Sequence, residues 1–206
     1  MPKRSAETVE RLLSDVEWAL EKGLGARDLV PMLERLLRRA ASGSDAWVFA
    51  SRQLAEQVVQ RDPWRAAGLA RRVLASCDDD RSWAVLALAL TLMGHYRAAA
   101  RAYRRALALA PDCPNHLHNL GHLLDVALDR PRSALPYLKL AHQAVPYEPE
   151  IAASYAHALA RAGRVDEARR LLEKTLPDSP ELIDRRLNDW LTAEPPGSAR
   201  RDGSEP

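Results

Sequence analysis

Histidine, amide and carboxylate side chains gather in the second half of the chain, at spacings that could bind a ligand. His118 and His122 are four residues apart, so a helix would place both imidazoles on one face, as in some zinc sites. The residues between them are Asn119, Leu120 and Gly121, so the Glu that a metalloprotease helix carries between its two histidines is missing. No cysteine lies on this segment either. Three interpretations stay open: lining of a polar groove, which this composition favours, surface histidines without a role, and a metal site. No cofactor is predicted.

The usual signatures of catalysis and nucleotide binding are missing from the sequence. No serine lies in a G-x-S-x-G turn, which exposes the nucleophile of many hydrolases. Neither G-x-x-x-x-G-K-[ST] nor G-x-G-x-x-G occurs, so the usual backbone cradles for phosphate are lacking. The sequence therefore predicts a protein that is not an enzyme.

Composition points to a soluble helical protein. Gly and Phe are scarce, whereas Ala, Leu and Arg, which favour helices, are abundant. The net charge is only +2, and acidic residues separate the Arg doublets, which favours a solvated outer helix face over a nucleic-acid surface. Two cysteines indicate free thiols in a reducing compartment. We expect a cytoplasmic protein, since neither a signal peptide nor a membrane span is apparent.

Two kinds of residue recur with one period. Three prolines (111, 146 and 180) and three alanines (99, 134 and 168) are each spaced by 35 and then 34 residues. Each alanine is expected to open a second helix and each proline to close it. Gly94 and Gly163 fall where the first helix of a unit should end. An extra residue lies in the turn between Asp125 and Pro131. The sequence thus predicts stacked pairs of helices.

The residues within each unit resemble the tetratricopeptide repeat (TPR) motif, W-x2-L-G-x2-Y followed by Gly, A-x3-F-x2-A and Pro. The matching residues are Trp83, Leu86, Ala87, Leu90, Gly94, Tyr96, Ala99, Tyr103, Ala106 and Pro111, then Leu117, Leu120, Gly121, Leu124, Ala134, Leu138, Ala141 and Pro146, then Tyr155, Ala156, Leu159, Gly163, Ala168, Leu172 and Pro180.

The resemblance implies an all-α fold, a TPR-type right-handed superhelical solenoid of antiparallel helix pairs. We expect Trp83 in the core, and Trp18, Trp47, Trp64 and Trp190 packed between helices. The expected segments are an N-terminal helix pair (1–43, a cap or degenerate repeat), a degenerate TPR (44–79), three TPRs (80–113, 114–148 and 149–180), a capping helix (181–193) and a disordered tail (194–206).

In TPR proteins the first helices of successive repeats line a concave groove that holds partner peptides, and the resemblance implies the same groove here. The stripe beside the apolar face of each first helix should line it. The predicted groove residues are Arg81, Asn115, His118, Asn119, His122, Asp125, Glu150, Ser154, His157 and Arg161.

The sequence thus predicts an adaptor or scaffold that binds a segment of another protein, with neither nucleic acid nor a membrane as partner. Two alternatives stay open. One is a secretion-type chaperone that dimerises through residues 6–41 and carries an export substrate. The other is a structural scaffold that assembles from copies of itself.

Overall fold

The computed structural model describes residues 8–175 and 179–192, and every regular element within them is helical. None of the described helices has the length and apolar character needed to cross a bilayer. The helices are α1 (Val9–Glu21), α2 (Ala26–Arg39), α3 (Asp45–Val58), α4 (Pro63–Leu74), α5 (Asp80–Leu92), α6 (Tyr96–Leu109), α7 (Pro114–His122), a π turn (Leu123–Ala127), α8 (Pro131–Ala144), α9 (Pro149–Arg161), α10 (Val165–Thr175) and α11 (Pro180–Thr192).

The helices begin where the sequence provides a cap or a proline. The Asp79 carboxylate accepts from the Ser82 backbone N–H at 2.8 Å, and Asp62 accepts from that of Arg65 at 2.9 Å. Each satisfies a backbone donor that the first turn of a helix leaves unpaired. Further side-chain caps are Thr8, Ser44 and Ser179, and the helices that start on proline are α4, α7, α8, α9 and α11.

Two glycines end first helices as predicted. Gly94 has φ of +79°, and the next N–H, that of His95, donates to the Leu90 carbonyl at 2.8 Å. Gly163 has φ of +87°, and Arg164 N–H donates to the Leu159 carbonyl at 2.9 Å. Both form the C-terminal turn in which a left-handed residue closes the helix, a conformation that suits Gly.

The three periodic prolines do not share one role. Pro111 and Pro146 follow the ends of α6 and α8, as the sequence predicted. Pro180 instead begins α11. The first helical position tolerates proline because its missing N–H would have no partner there.

The chain divides into two compact units, the first ending at Ala106 and the second starting at Leu107, within α6. In the first unit α1 to α5 pack in consecutive pairs, and α3 also contacts α5. In the second unit α7 to α11 do the same, while α7 contacts α9 and α9 contacts α11. The all-α fold of consecutively paired helices that the sequence predicted is therefore confirmed.

The core of the second unit contains the alanines and leucines of the predicted stripes. A buried cluster joins α9, α10 and α11 through Leu159, Ala168, Leu172, Ile183 and Leu187. On α11 Ile183 and Leu187 are buried, whereas Leu182 and Leu191 are exposed. The assignment of segments to repeats and to a cap stays a prediction, and the predicted disordered tail lies outside the described residues.

Gly121 allows the closest approach between α7 and α8. A Cβ placed on Gly121 would lie 2.5 Å from Cγ of Leu138, which is fully buried. Real Cβ atoms do not approach another atom so closely. Any larger residue at position 121 would therefore have to displace the core.

Trp47 is buried and Trp190 packs against the core of the second unit, as the sequence predicted, but the other three tryptophans are less buried than expected. Trp83, expected in the core, is half-buried, and its indole N–H donates to Asp78 at 2.5 Å. Trp18 and Trp64, expected between helices, are 56% and 69% exposed. A large apolar residue at helical spacing predicts packing only when a neighbouring helix covers that face. Ala66, Ala67 and Leu69 form the buried side of α4, and Trp64 lies outside it.

Candidate partner-binding face

Nine of the ten predicted groove residues lie in the second unit, on α7, the π turn and α9. The tenth, Arg81, belongs to the first unit, where its guanidinium pairs with both carboxylate oxygens of Glu56 at 2.9 and 2.7 Å. We call the set in the second unit the α7–α9 polar face. Its residues are Asn115, His118, Asn119, His122, Asp125, Glu150, Ser154, His157 and Arg161.

Hydrogen bonds hold α7 and α9 side by side in register. His118 Nε2 lies 2.9 Å from Ser154 Oγ, and at the other end Arg161 Nη1 donates to Asp125 Oδ1 at 2.9 Å. Both pairs are separated by 36 residues along the chain. A constant separation at the two ends requires parallel helices, so the two polar stripes form one continuous face.

The extra residue between Asp125 and Pro131 is accommodated by the π turn. Leu128 N–H donates to the carbonyl of Leu123, five residues earlier, at 3.1 Å. A π turn widens the helix locally and is often found at functional sites. Here it carries Asp125 inward, where the residue is only 1% exposed.

The buried Asp125 carboxylate is fully compensated. Its Oδ2 lies 2.5 Å from His157 Nδ1, and Arg161 Nη1 donates to both its Oδ1 and, at 2.6 Å, its backbone carbonyl. Arg161 Nη2 also pairs with Asp129, whose φ of +52° turns the chain after the π turn. A carboxylate is stable inside a protein only when it is paired and hydrogen-bonded in this way.

Trp190 of α11 extends the network. Its ring meets the His157 ring edge to face, with centroids 5.1 Å apart and an interplanar angle of 84°. Such aromatic pairs stabilise beyond the area that they bury. Sequence reasoning missed Asp129 and Trp190 as members of this network, and the signal available for Asp129 was the extra residue in its turn.

The pKa values of His118 and His122, two of the three histidines of α7, are both lowered, which favours the neutral imidazoles. Their ring centroids lie 6.0 Å apart. Burial lowers the pKa of His118, and so does the neighbouring His122, against the opposing effect of Glu150 and Glu148. Loss of hydration also lowers the pKa of His122, although this residue is more exposed than His118. Asp125 and Glu150 oppose the shift, and His157 adds to it. Neutral imidazoles can both donate and accept hydrogen bonds.

The structure therefore separates the polar face into two groups. The residues bonded across the helices are His118, Asp125, Ser154, His157 and Arg161. The side chains that form no hydrogen bond with any described residue are Asn115, Asn119, His122 and Glu150. Amide, imidazole and carboxylate groups can bind the N–H and C=O groups of an extended peptide.

The metal interpretation gains no support from the described residues. His118 and His122 do face one another, but residues 8–175 and 179–192 contain no group of three or more His, Cys, Asp and Glu side chains placed to hold an ion. Asp125, the nearest carboxylate to this pair in sequence, is bonded to His157 and Arg161.

Helices packed in consecutive pairs are typical of all-helical repeat proteins. Models of the tetratricopeptide repeat family match residues 125–187 and 80–123, together about half of the chain. The chain belongs to the TPR family. TPR repeats support a protein-interaction scaffold in general and are typical of non-catalytic proteins.

Solved structures of MamA share the fold. A crystal structure of MamA protein has 18% identity and a TM-score of 0.65, covering 92% of this chain and 99% of that one. MamA 41-end from Desulfovibrio magneticus RS-1 has 15% identity and a TM-score of 0.67, covering 81% and 92%. MamA AMB-1 has 24% identity and a TM-score of 0.61, covering 84% and 92%. No curated protein matches the sequence significantly.

Proposed function

We propose that this protein is an adaptor whose α7–α9 polar face binds an extended segment of a partner protein. One observation carries the proposal. Cross-bonded residues fix α7 against α9, while Asn115, Asn119, His122 and Glu150 keep unused hydrogen-bonding groups on the same face. Fixed donors and acceptors reduce the entropy lost on binding, which favours recognition of a flexible segment.

The test begins by isolating the partner with the immobilised chain and mass spectrometry, followed by calorimetry on the purified pair. The informative variant is Asn119→Ala with His122→Ala, since neither side chain bonds another described residue. We expect binding to weaken by about 1–3 kcal/mol, because polar groups of the partner lose their bonds, while the melting temperature stays unchanged.

The matched control is Lys139→Ala with Gln143→Ala, two exposed polar residues on α8. This variant should bind with wild-type affinity. Equal affinity for the α7 variant and the wild type would contradict the proposed face, and an equal loss for both variants would show that the effect is not local.

The chaperone alternative retains one supporting observation, the 56% exposure of Trp18 on α1, within the region proposed to dimerise. An exposed Trp is the kind of residue that interfaces enrich. Light scattering over a concentration series measures the molar mass and so distinguishes the chaperone from the adaptor. A dimer that Trp18→Ala dissociates supports the chaperone, and a monomer at every concentration supports the adaptor.

A further inference from the structure

The chain between α5 and α7 is strongly biased in charge. No Asp or Glu occurs between Asp80 and Asp112, whereas α6 alone carries four arginines. The protein as a whole has a net charge of only +2. The positive charge of α6 is therefore a local feature of the first unit.

Three of these arginines form one row. Arg97, Arg101 and Arg104 are spaced by four and three residues, which places them on one helix face, and all three are exposed. The opposite side of α6 is buried through Ala99, Tyr103 and Ala106. The row thus points away from the core and is about 10.5 Å long.

The fold itself does not use this row. Arg105, the next residue, pairs with Asp78 at 2.8 Å and lies over the Trp83 ring. No carboxylate in the described part of the chain pairs with Arg97, Arg101 or Arg104. Like charges three or four residues apart destabilise a helix slightly. An anionic ligand would relieve that repulsion.

We propose that the row Arg97–Arg101–Arg104 is a docking surface for an acidic segment of another protein. Each guanidinium can bind a carboxylate through two parallel hydrogen bonds. Glutamates spaced by four and three residues on a partner helix would match the row one to one.

The observations favour an acidic peptide over nucleic acid. The electrostatic affinity for nucleic acid grows with the number of phosphates neutralised, and three side chains can neutralise only a few. The chain also has a pI near 8.7, below the range of about 9 and above that marks nucleic-acid-binding domains. The row lies in the first unit, so this inference does not depend on the α7–α9 polar face.

The probe is a fluorescent Ala-rich peptide with Glu at positions spaced by four and three residues, measured by anisotropy with the full chain. The peptide should bind, more weakly as salt is added, and its Gln counterpart should not. The variant Arg97→Gln with Arg101→Gln and Arg104→Gln should lose about tenfold in affinity, because each exposed ion pair contributes modestly.

The control is Arg11→Gln with Arg132→Gln and Arg185→Gln, which removes the same charge from three exposed arginines on separate helices. It should retain binding. Equal loss in both triple variants, or no binding of the Glu peptide, overturns the docking surface. Tighter, row-dependent binding of duplex DNA overturns the assignment to an acidic protein.

Discussion

Replacing Arg161 with Met would remove the positive charge that faces the buried Asp125 while keeping most of the side-chain volume. The Asp125 side chain is 2% exposed and that of Arg161 is 16% exposed. The substitution deletes two hydrogen bonds to Asp125 and one to Asp129. It leaves a buried carboxylate with His157 as its one remaining side-chain hydrogen-bond partner among the described residues.

Breaking a buried pair by removing one partner typically costs about 3–5 kcal/mol. The value here should fall at the lower end, about 3 kcal/mol, because His157 still bonds the carboxylate. For a chain of this size, about 3 kcal/mol lowers the melting temperature by roughly 6–12 °C. Urea and thermal unfolding followed by circular dichroism at 222 nm measure both quantities.

Arg164→Met provides the matched control. Arg164 also makes two hydrogen bonds to one carboxylate, that of Glu167, but both side chains are nearly half exposed. Solvent screens this pair, so its loss should leave the unfolding midpoint almost unchanged.

A second variant tests the cause. Asp125→Asn with Arg161→Met removes the buried charge along with its partner, so the double variant should be more stable than Arg161→Met alone. Two results would contradict this reasoning: Arg161→Met unfolds like the wild type, or the double variant is less stable than Arg161→Met alone. In either case, compensation of a buried charge is not what holds the π turn against α9.

Two further predictions concern His118 with His122, and Gly121. The pKa values of both histidines are lower in the folded chain than the value of about 6.5 in the unfolded chain. At pH values between the folded and unfolded pKa values, the unfolded chain therefore binds more protons. The contribution of these histidines to the free energy of unfolding should be constant above about pH 6.5 and should decrease as the pH falls through the folded pKa values. Urea titrations at several pH values should show this slope, and His118→Gln with His122→Gln should reduce it. Gly121→Ala should destabilise by about 1–3 kcal/mol through overlap with Leu138, whereas Gly68→Ala, in an open part of α4, should stabilise by about 0.5–1 kcal/mol. Equal shifts in their melting temperatures would refute the packing argument.

Much of the fold was predictable from the types and spacing of individual residues. Gly94 and Gly163 end helices because a left-handed residue is needed there, and the alanines at 99, 134 and 168 are buried at the predicted period. These features depend on the residue itself and a few neighbours. The role of Pro180 was not predictable in this way, since proline is compatible both with the residues that follow a helix and with the first position of the next helix. Only the position of α11 distinguishes these two roles.

The sequence indicated which residues lie on the α7–α9 polar face but not how they pair, and their role in binding stays a prediction. Helical spacing placed His118, His122 and Asp125 on one stripe. That Asp125 would turn inward and meet Arg161 depends on how α9 docks, and no spacing within α7 specifies a partner 36 residues away. Trp83 was misjudged for a similar reason, because its burial depends on the helix that covers it.

The π turn also affects how this chain can be compared with others. One inserted residue in a regular α-helix rotates everything after it by about 100° about the helix axis, which would take the following residues off their face. Here the wider turn lies at Leu123–Ala127, and Asp125 within it still contacts Arg161 of α9. The two family matches end at residue 123 and resume at residue 125, within this turn. The limits of the two matches therefore fall inside one continuous helical segment that begins with α7, rather than in a loop between helices.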